Sequence, residues 1–218
     1  VLTIVNRGIH PRRLRAFAYG EWSLGPPRPE GQTQVVTEHE PLRYAVLAPS
    51  SHNSQPWAFS LEGNTVAIRA DLRRWLRVAD PDKRELYVSL GCALENLLVA
   101  AEHFGFGHEV TFPADADRHG HAATVTLLAE GAPSTCRPAE LFLGIARRAT
   151  SRERYQRRPV AEEAVAELRE CSVDHGLGLL LTGDAQIRAR VRDLVILADR
   201  LLFGDQAWRR ELGEWIGA

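Results

Sequence analysis

Methionine is absent from all 218 positions, position 1 included, so the sequence is expected to begin inside a longer gene product. Lysine is almost absent as well, with Lys83 the only one among 27 basic residues. Guanidinium is the better fork for phosphate or carboxylate, so an arginine-dominated set suits local anion sites, although a GC-rich genome produces the same bias. An overall charge is lacking too, because 27 basic residues face 28 acidic ones. No field exists to gather nucleic acid or an anionic membrane, and neither is expected as a partner. Cysteine is sparse: Cys92, Cys136 and Cys171 form an odd set without a C-x-x-C pair. That excludes a disulfide framework and fits a reducing compartment, so a cytoplasmic location is expected. No apolar run approaches the roughly 18 to 20 residues of a membrane span, and the first 15 residues lack the ordered regions of a signal peptide.

Several familiar motifs are missing. No G-x-G-x-x-G or G-x-x-x-x-G-K-[ST] loop occurs, and no G-x-S-x-G elbow. His103, His108, His119 and His121 have no Cys or carboxylate at a spacing that completes a tetrahedral set, so no metal site is expected. No short-period repeat is visible, which excludes solenoids.

What is present has ordinary globular composition, 44% apolar and 25% charged, enough to bury a core in one large domain or two small halves. The stretch from Gly20 to Thr37, with Pro26, Pro27 and Pro29, reads as an extended arm spanning 1–37. Pro41 opens a short helix bearing Leu42, Ala45 and Val46, and Pro49 stops it. Trp57, Phe59 and Leu61 alternate into a Glu62-Gly63-Asn64 turn that returns through Val66 and Ile68, which predicts a hairpin. Asp80 and Pro81 are expected to open a long helix to Phe104, its Leu86, Leu90, Leu94, Leu97 and Ala101 recurring at three- and four-residue steps and Gly105 ending it. Small residues among those leucines predict burial on more than one side. Short strands follow at Glu109 to Phe112 and Ala123 to Leu128.

A second block begins with a helix from Ala139 to Arg147, a basic turn, and a helix from Ala161 to Cys171. A strand is expected at Leu177 to Leu181, then a helix capped by Asp184 and a last one capped by Asp205. Gly217-Ala218 follow that helix without a closing strand, so the far end is expected to be cut. The boundaries read from the pattern are an arm at 1–37, a first half at 38–135 and a truncated second half at 136–218.

Two stretches could carry chemistry. The first is Pro49-Ser50-Ser51-His52-Asn53-Ser54-Gln55-Pro56-Trp57, a donor-rich loop between two prolines. Its hydroxyls, amides and backbone N–H groups can read the uracil-like edge and ribityl hydroxyls of a flavin, or simply cap their own turn. In the second, Arg148, Thr150 and Arg152 project together if the turn is extended, making a clamp for one phosphate dianion. Equally, they could be a solvated basic face at a helix C-terminus.

A-P-S-S-H-N-S-Q-P-W at Ala48 to Trp57 resembles the A-P-S-S-x-N-x-Q-P-W signature of the nitroreductase superfamily. R-x-T-x-R at Arg148 to Arg152 resembles that superfamily's phosphate anchor and is followed, as there, by Tyr155 and Pro159-Val160. In ordinary members the anchor precedes the loop. The reversed order here resembles the Acg-like branch, in which two halves are fused into a single-chain pseudo-dimer. The resemblance implies an α+β, nitroreductase-like fold, a mainly antiparallel sheet flanked by helices in two fused half-domains. It implies one FMN, its phosphate held by Arg148, Thr150 and Arg152, its ribityl chain and ring contacted by Pro49, Ser50, Ser51 and Asn53. The expected activity is NAD(P)H-dependent reduction of nitro compounds or quinones through that flavin, with no side chain needed as acid or base. A non-catalytic FMN-sequestering protein is the alternative, and a monomeric pseudo-dimer or a homodimer the expected assembly.

Overall fold

Apolar side chains alternate from Trp57 to Leu61, which turns Trp57, Phe59 and Leu61 to one face of a strand, where all three are buried. The structure, a computed structural model, describes residues 2–5, 37–114, 120–131, 137–151, 153–156, 158–170 and 179–216. Its strands are β1 (Leu2–Val5), β2 (Trp57–Glu62), β3 (Thr65–Ala70), β4 (Gly107–Thr111) and β5 (His121–Leu128). They form one antiparallel sheet in the order β1-β2-β3-β5-β4. Glu62 pairs with Thr65, so the predicted hairpin closes through a two-residue turn whose Gly63 has φ 57°. The start of the expected arm is thus an edge strand, and residues 6–36 lie outside the described residues.

The helices are α1 (Glu40–Ala45), α2 (Arg84–His103), α3 (Glu140–Arg147), α4 (Glu162–Glu170), α5 (Ala185–Gly204) and α6 (Gln206–Ile216). Chain contacts divide the molecule into two units, residues 1–148 with 211–218, and residues 149–210.

In the first unit α2 is the centre. Leu86, Leu90, Ala93, Leu97 and Ala101 join Phe59, Val66, Ile68 and Val125 of the sheet and Leu42 and Ala45 of α1 in one core. On another side Val99 and Ala100 meet Phe142 and Ile145 of α3, so the helix is buried on two sides as its small residues predict. Its start differs from expectation. Pro81 and Asp82 lie in a turn, Lys83 is left-handed at φ 61°, and the helix begins at Arg84. Asp80 still terminates it usefully, because its carboxylate accepts the N–H of Glu85 at 2.9 Å and of Leu86 at 2.8 Å. At the other end Phe104 is the cap and Gly105 takes φ 86°, as its position predicts.

The expected histidine positions acquire structural partners where described. His103 stacks on Phe142 with ring centroids 3.5 Å apart, and His108 lies 2.9 Å from the Glu102 carboxylate. Arg137 joins that carboxylate and also grips Glu95 with two nitrogens, at 2.7 and 2.9 Å, which raises its already high pKa further. His121 contacts Thr124 Oγ1, and His119 lies outside the described residues. Among the described residues no group of three or more His, Cys, Asp or Glu could hold a metal ion. No helix among them is long and apolar enough to cross a membrane.

In the second unit Asp184 caps α5 as expected, accepting from the N–H of Gln186 and Ile187 at 2.9 and 2.8 Å. Asp205 does the same for α6 through Ala207. One expectation needs correction. Residues 179–181 are not in a strand, because no strand exists among the described residues of this unit to pair with them; residues 177–178 lie outside the description. The helix α5 buries none of its residues. Its apolar side chains, including Val191, Leu194, Leu197 and Leu201, run round most of the helix surface and stay exposed.

Candidate functional site

The Pro49–Trp57 loop leaves α1 and enters β2 through a 3₁₀ turn over Ser51–Asn53. His52, Asn53 and Gln55 hold left-handed backbone at φ 50°, 54° and 52°. Asn and His tolerate that region better than most side chains, Gln does not. Such conformations cost of order 1–3 kcal/mol each and persist only where the surroundings over-determine them.

The surroundings do so here. Ser50 Oγ accepts the Gln55 N–H at 2.9 Å, while the Asn53 and Ser54 N–H groups close on the Ser50 and Ser51 carbonyls at 3.0 Å. From outside the loop, Arg74 Nη1 donates to the Ser54 carbonyl at 3.0 Å and the Asp71 N–H to the Pro56 carbonyl at 2.9 Å. Ser51 Oγ donates to Glu85 Oε2 at 2.5 Å, a short charge-assisted bond to the first turn of α2. Beside the loop lies a cavity of about 10 Å³, walled by Ser51, Ser54, Arg74 and Asp80, which holds at most one water.

These bonds sort the nominated side chains by what they can still offer. Ser50 accepts through its oxygen and keeps a proton to donate. Ser51 has committed its proton to Glu85 and retains only lone pairs. Asn53 is exposed, and its carboxamide makes no hydrogen bond among the described residues, so both of its ends are available. Pro49 is half-buried at the loop's start. Trp57 Nε1 is buried without a partner among the described residues, a donor that a bound group's acceptor could satisfy. Such a mixed donor and acceptor set suits the edge of a flavin.

The anchor residues are placed as follows. Arg148 follows α3 in extended conformation, φ −55° and ψ 130°, with its N–H on the Gly144 carbonyl at 2.8 Å. It closes the first unit's main segment, and the second unit begins at Ala149. Thr150 is exposed in irregular chain, and Arg152 lies outside the described residues. The structure therefore brings Pro49, Ser50, Ser51 and Asn53 together in one loop and sets Arg148 and Thr150 in the two different units.

Sequence reading missed the supports. Arg74 lies 20 residues from the Ser54 carbonyl it holds and Glu85 lies 34 from the Ser51 hydroxyl, and no local pattern marks such pairs. Asp71-Leu72-Arg73-Arg74 reads only as a capped turn. The Asp71 carboxyl takes two hydrogen bonds from the Arg73 side chain, at 2.9 Å each, and these hold its pKa below the usual value of 3.8 despite burial. The unfolded chain then binds the Asp71 proton more readily than the folded one. Its contribution to stability is present above pH 3.8 and is lost as pH falls through the lower folded value. Asp71→Asn should remove that part of the acid slope, read from urea midpoints across acidic pH. Arg73 is largely exposed, so screening keeps the change modest.

No family model matches the chain. Curated relatives do. One, from Mycobacterium tuberculosis and named "Putative NAD(P)H nitroreductase Rv3131", is 33% identical over 181 residues, 81% of this chain and 50% of its own length. Another from the same organism, "Putative NAD(P)H nitroreductase acg", is 39% identical over 70 residues, 31% of this chain and 21% of its own. The chain thus spans about half the length of the first of these relatives. A solved nitroreductase family protein from Streptococcus pneumoniae overlaps 50% of this chain and 90% of its own at 19% identity and a TM-score of 0.34, too partial to add to the sequence relationship. With a relative 33% identical over 81% of this chain, and an α+β architecture with an antiparallel sheet, the chain belongs to the nitroreductase superfamily.

Proposed function

We propose that the chain binds FMN in an NAD(P)H-dependent oxidoreductase of nitroreductase type, acting on nitro compounds or quinones. The observation that carries this reading is the carboxamide of Asn53, exposed and unbonded among the described residues on a backbone held left-handed by its neighbours. A turn that merely capped itself would spend that side chain on its own backbone. When bound, FMN supplies the redox chemistry, accepting hydride from NAD(P)H and passing electrons to the acceptor.

The chain's own residues bind and orient. Arg148, Thr150 and Arg152 would hold the phosphate, two guanidiniums and a hydroxyl supplying charge-assisted bonds. Pro49, Ser50, Ser51 and Asn53 would contact the ribityl chain and ring. Ser50 would donate, Ser51 would accept because Glu85 takes its proton, and Asn53 would do both. Loop and anchor would share a single FMN, and their order in the chain supports a single-chain pseudo-dimer. The sparse cysteine content, an odd set of three without a C-x-x-C pair, supports a cytoplasmic location.

The test begins with the absorbance of the purified protein and an FMN titration, followed by NAD(P)H oxidation with a nitroaromatic acceptor. An oxidised-flavin spectrum with steady turnover is expected. Retained FMN without turnover would instead favour the sequestering role, and no FMN uptake would end the proposal. Within the loop, Asn53→Gly keeps the left-handed backbone at no steric cost. It should weaken FMN binding by about 0.5–1.5 kcal/mol, the scale of a lost hydrogen bond, with an unchanged unfolding midpoint.

A further inference from the structure

The second unit contains a cleft of about 950 Å³, near the upper end of small-molecule sites. Arg158, Arg169 and Arg188 line it from three separate segments, the irregular chain before α4, the last turn of α4 and the first turn of α5. Among the described residues that line it, none is Asp or Glu, and none of the three guanidiniums makes an ion pair or hydrogen bond. Some guanidiniums elsewhere are paired, Arg43 with Glu40, Arg73 with Asp71, Arg137 with Glu95 and Glu102, and Arg192 with Asp193.

Arg188 is the telling member. A cation in the first turn of a helix opposes the macrodipole, so its position is unfavourable unless an anion lies nearby. The helix start itself offers little to an anion, because Asp184 already accepts the N–H of Gln186 and Ile187. Recognition must then come from the side chains. Between the guanidiniums the wall is apolar, with Val165 and Leu168, and Tyr155 stands at the cleft with its side chain 89% exposed as a residue.

We infer that this cleft binds a small organic anion with an apolar or aromatic body, such as an aryl phosphate or carboxylate. Its charge meets the guanidiniums, and its body lies on the apolar wall. Thr150 of the proposed FMN anchor is not among its described lining residues.

The experiment is calorimetric titration of the 218-residue chain with phenyl phosphate, benzyl alcohol and inorganic phosphate. Phenyl phosphate should bind with one-to-one stoichiometry, at least about tenfold more tightly than either control. Arg169→Gln and Arg188→Gln should each weaken it about tenfold or more, the effect of losing a bond to a charged group. Both residues have their side chains at the surface of the cleft, and circular dichroism would establish that the variants keep their fold. Arg148→Ala should leave phenyl phosphate binding unchanged. Absent binding, binding by both Gln variants as tight as by the wild type, or a loss confined to Arg148→Ala would each overturn the proposal. Inorganic phosphate binding as tightly as phenyl phosphate would overturn the part played by the apolar wall.

Discussion

Arg148→Ala is expected to weaken FMN retention by about 1.5–3 kcal/mol, roughly ten- to a hundredfold in Kd, as measured by quenching of flavin fluorescence. The estimate is that of a hydrogen bond to a charged group, because a guanidinium facing a phosphate dianion donates from a fixed fork. The fold should survive the change, since Arg148 is exposed and its backbone N–H closes α3 on Gly144. Arg148→Lys, which keeps the charge and loses the fork, should fall between wild type and alanine. Rising ionic strength should narrow the differences. Affinity unchanged in Arg148→Ala would remove this residue from the anchor.

Phe59→Ala should cost about 3–5 kcal/mol of folding stability, the largest single effect expected from the first unit. Phe59 is 1% exposed, lies opposite Ile68 across the hairpin, and belongs to the core that joins the sheet to α1 and α2. Its removal leaves a cavity between elements that cannot collapse independently, because the ladder fixes β2 and β3 to each other. The check is urea unfolding followed by circular dichroism, with a lower midpoint and little change in slope. A loss under about 1 kcal/mol would mean that the core repacks around the gap. Because β2 starts at Trp57, where the candidate loop ends, the same variant should also loosen that loop, seen as faster proteolysis between α1 and β2.

Where the fold was legible, the signals were local. Trp57, Phe59 and Leu61 announce a strand by alternation alone, and Asp184 and Asp205 announce helix starts through a side chain that reaches only two or three residues ahead. The 3.6-residue recurrence from Leu86 to Ala101 was enough to find α2 and its burial on two sides. Asp80 misled by three residues because its carbonyl is taken by the Trp75 indole and the Lys83 N–H, which holds the chain in a turn before the helix can begin. Leu177 to Leu181 has strand-like side chains, but a strand exists only where another offers its backbone. Leu2–Val5 illustrates the reverse, since it pairs with β2 although nothing nearby signals it. For the candidate site, the left-handed backbone of the loop was hidden by the absence of glycine at 52, 53 and 55. The clamps from Arg74 and Glu85 arise from tertiary contact and leave no trace in spacing.

The left-handed residues at 52, 53 and 55 also constrain how this segment can drift over generations. A branched valine, isoleucine or threonine at those places would clash with its own main chain, so substitution is channelled toward asparagine, glycine and a few others whatever cargo the bend carries. Descendants that abandon the chemistry can therefore go on spelling much of the same word, preserved by the shape of the bend rather than by its use.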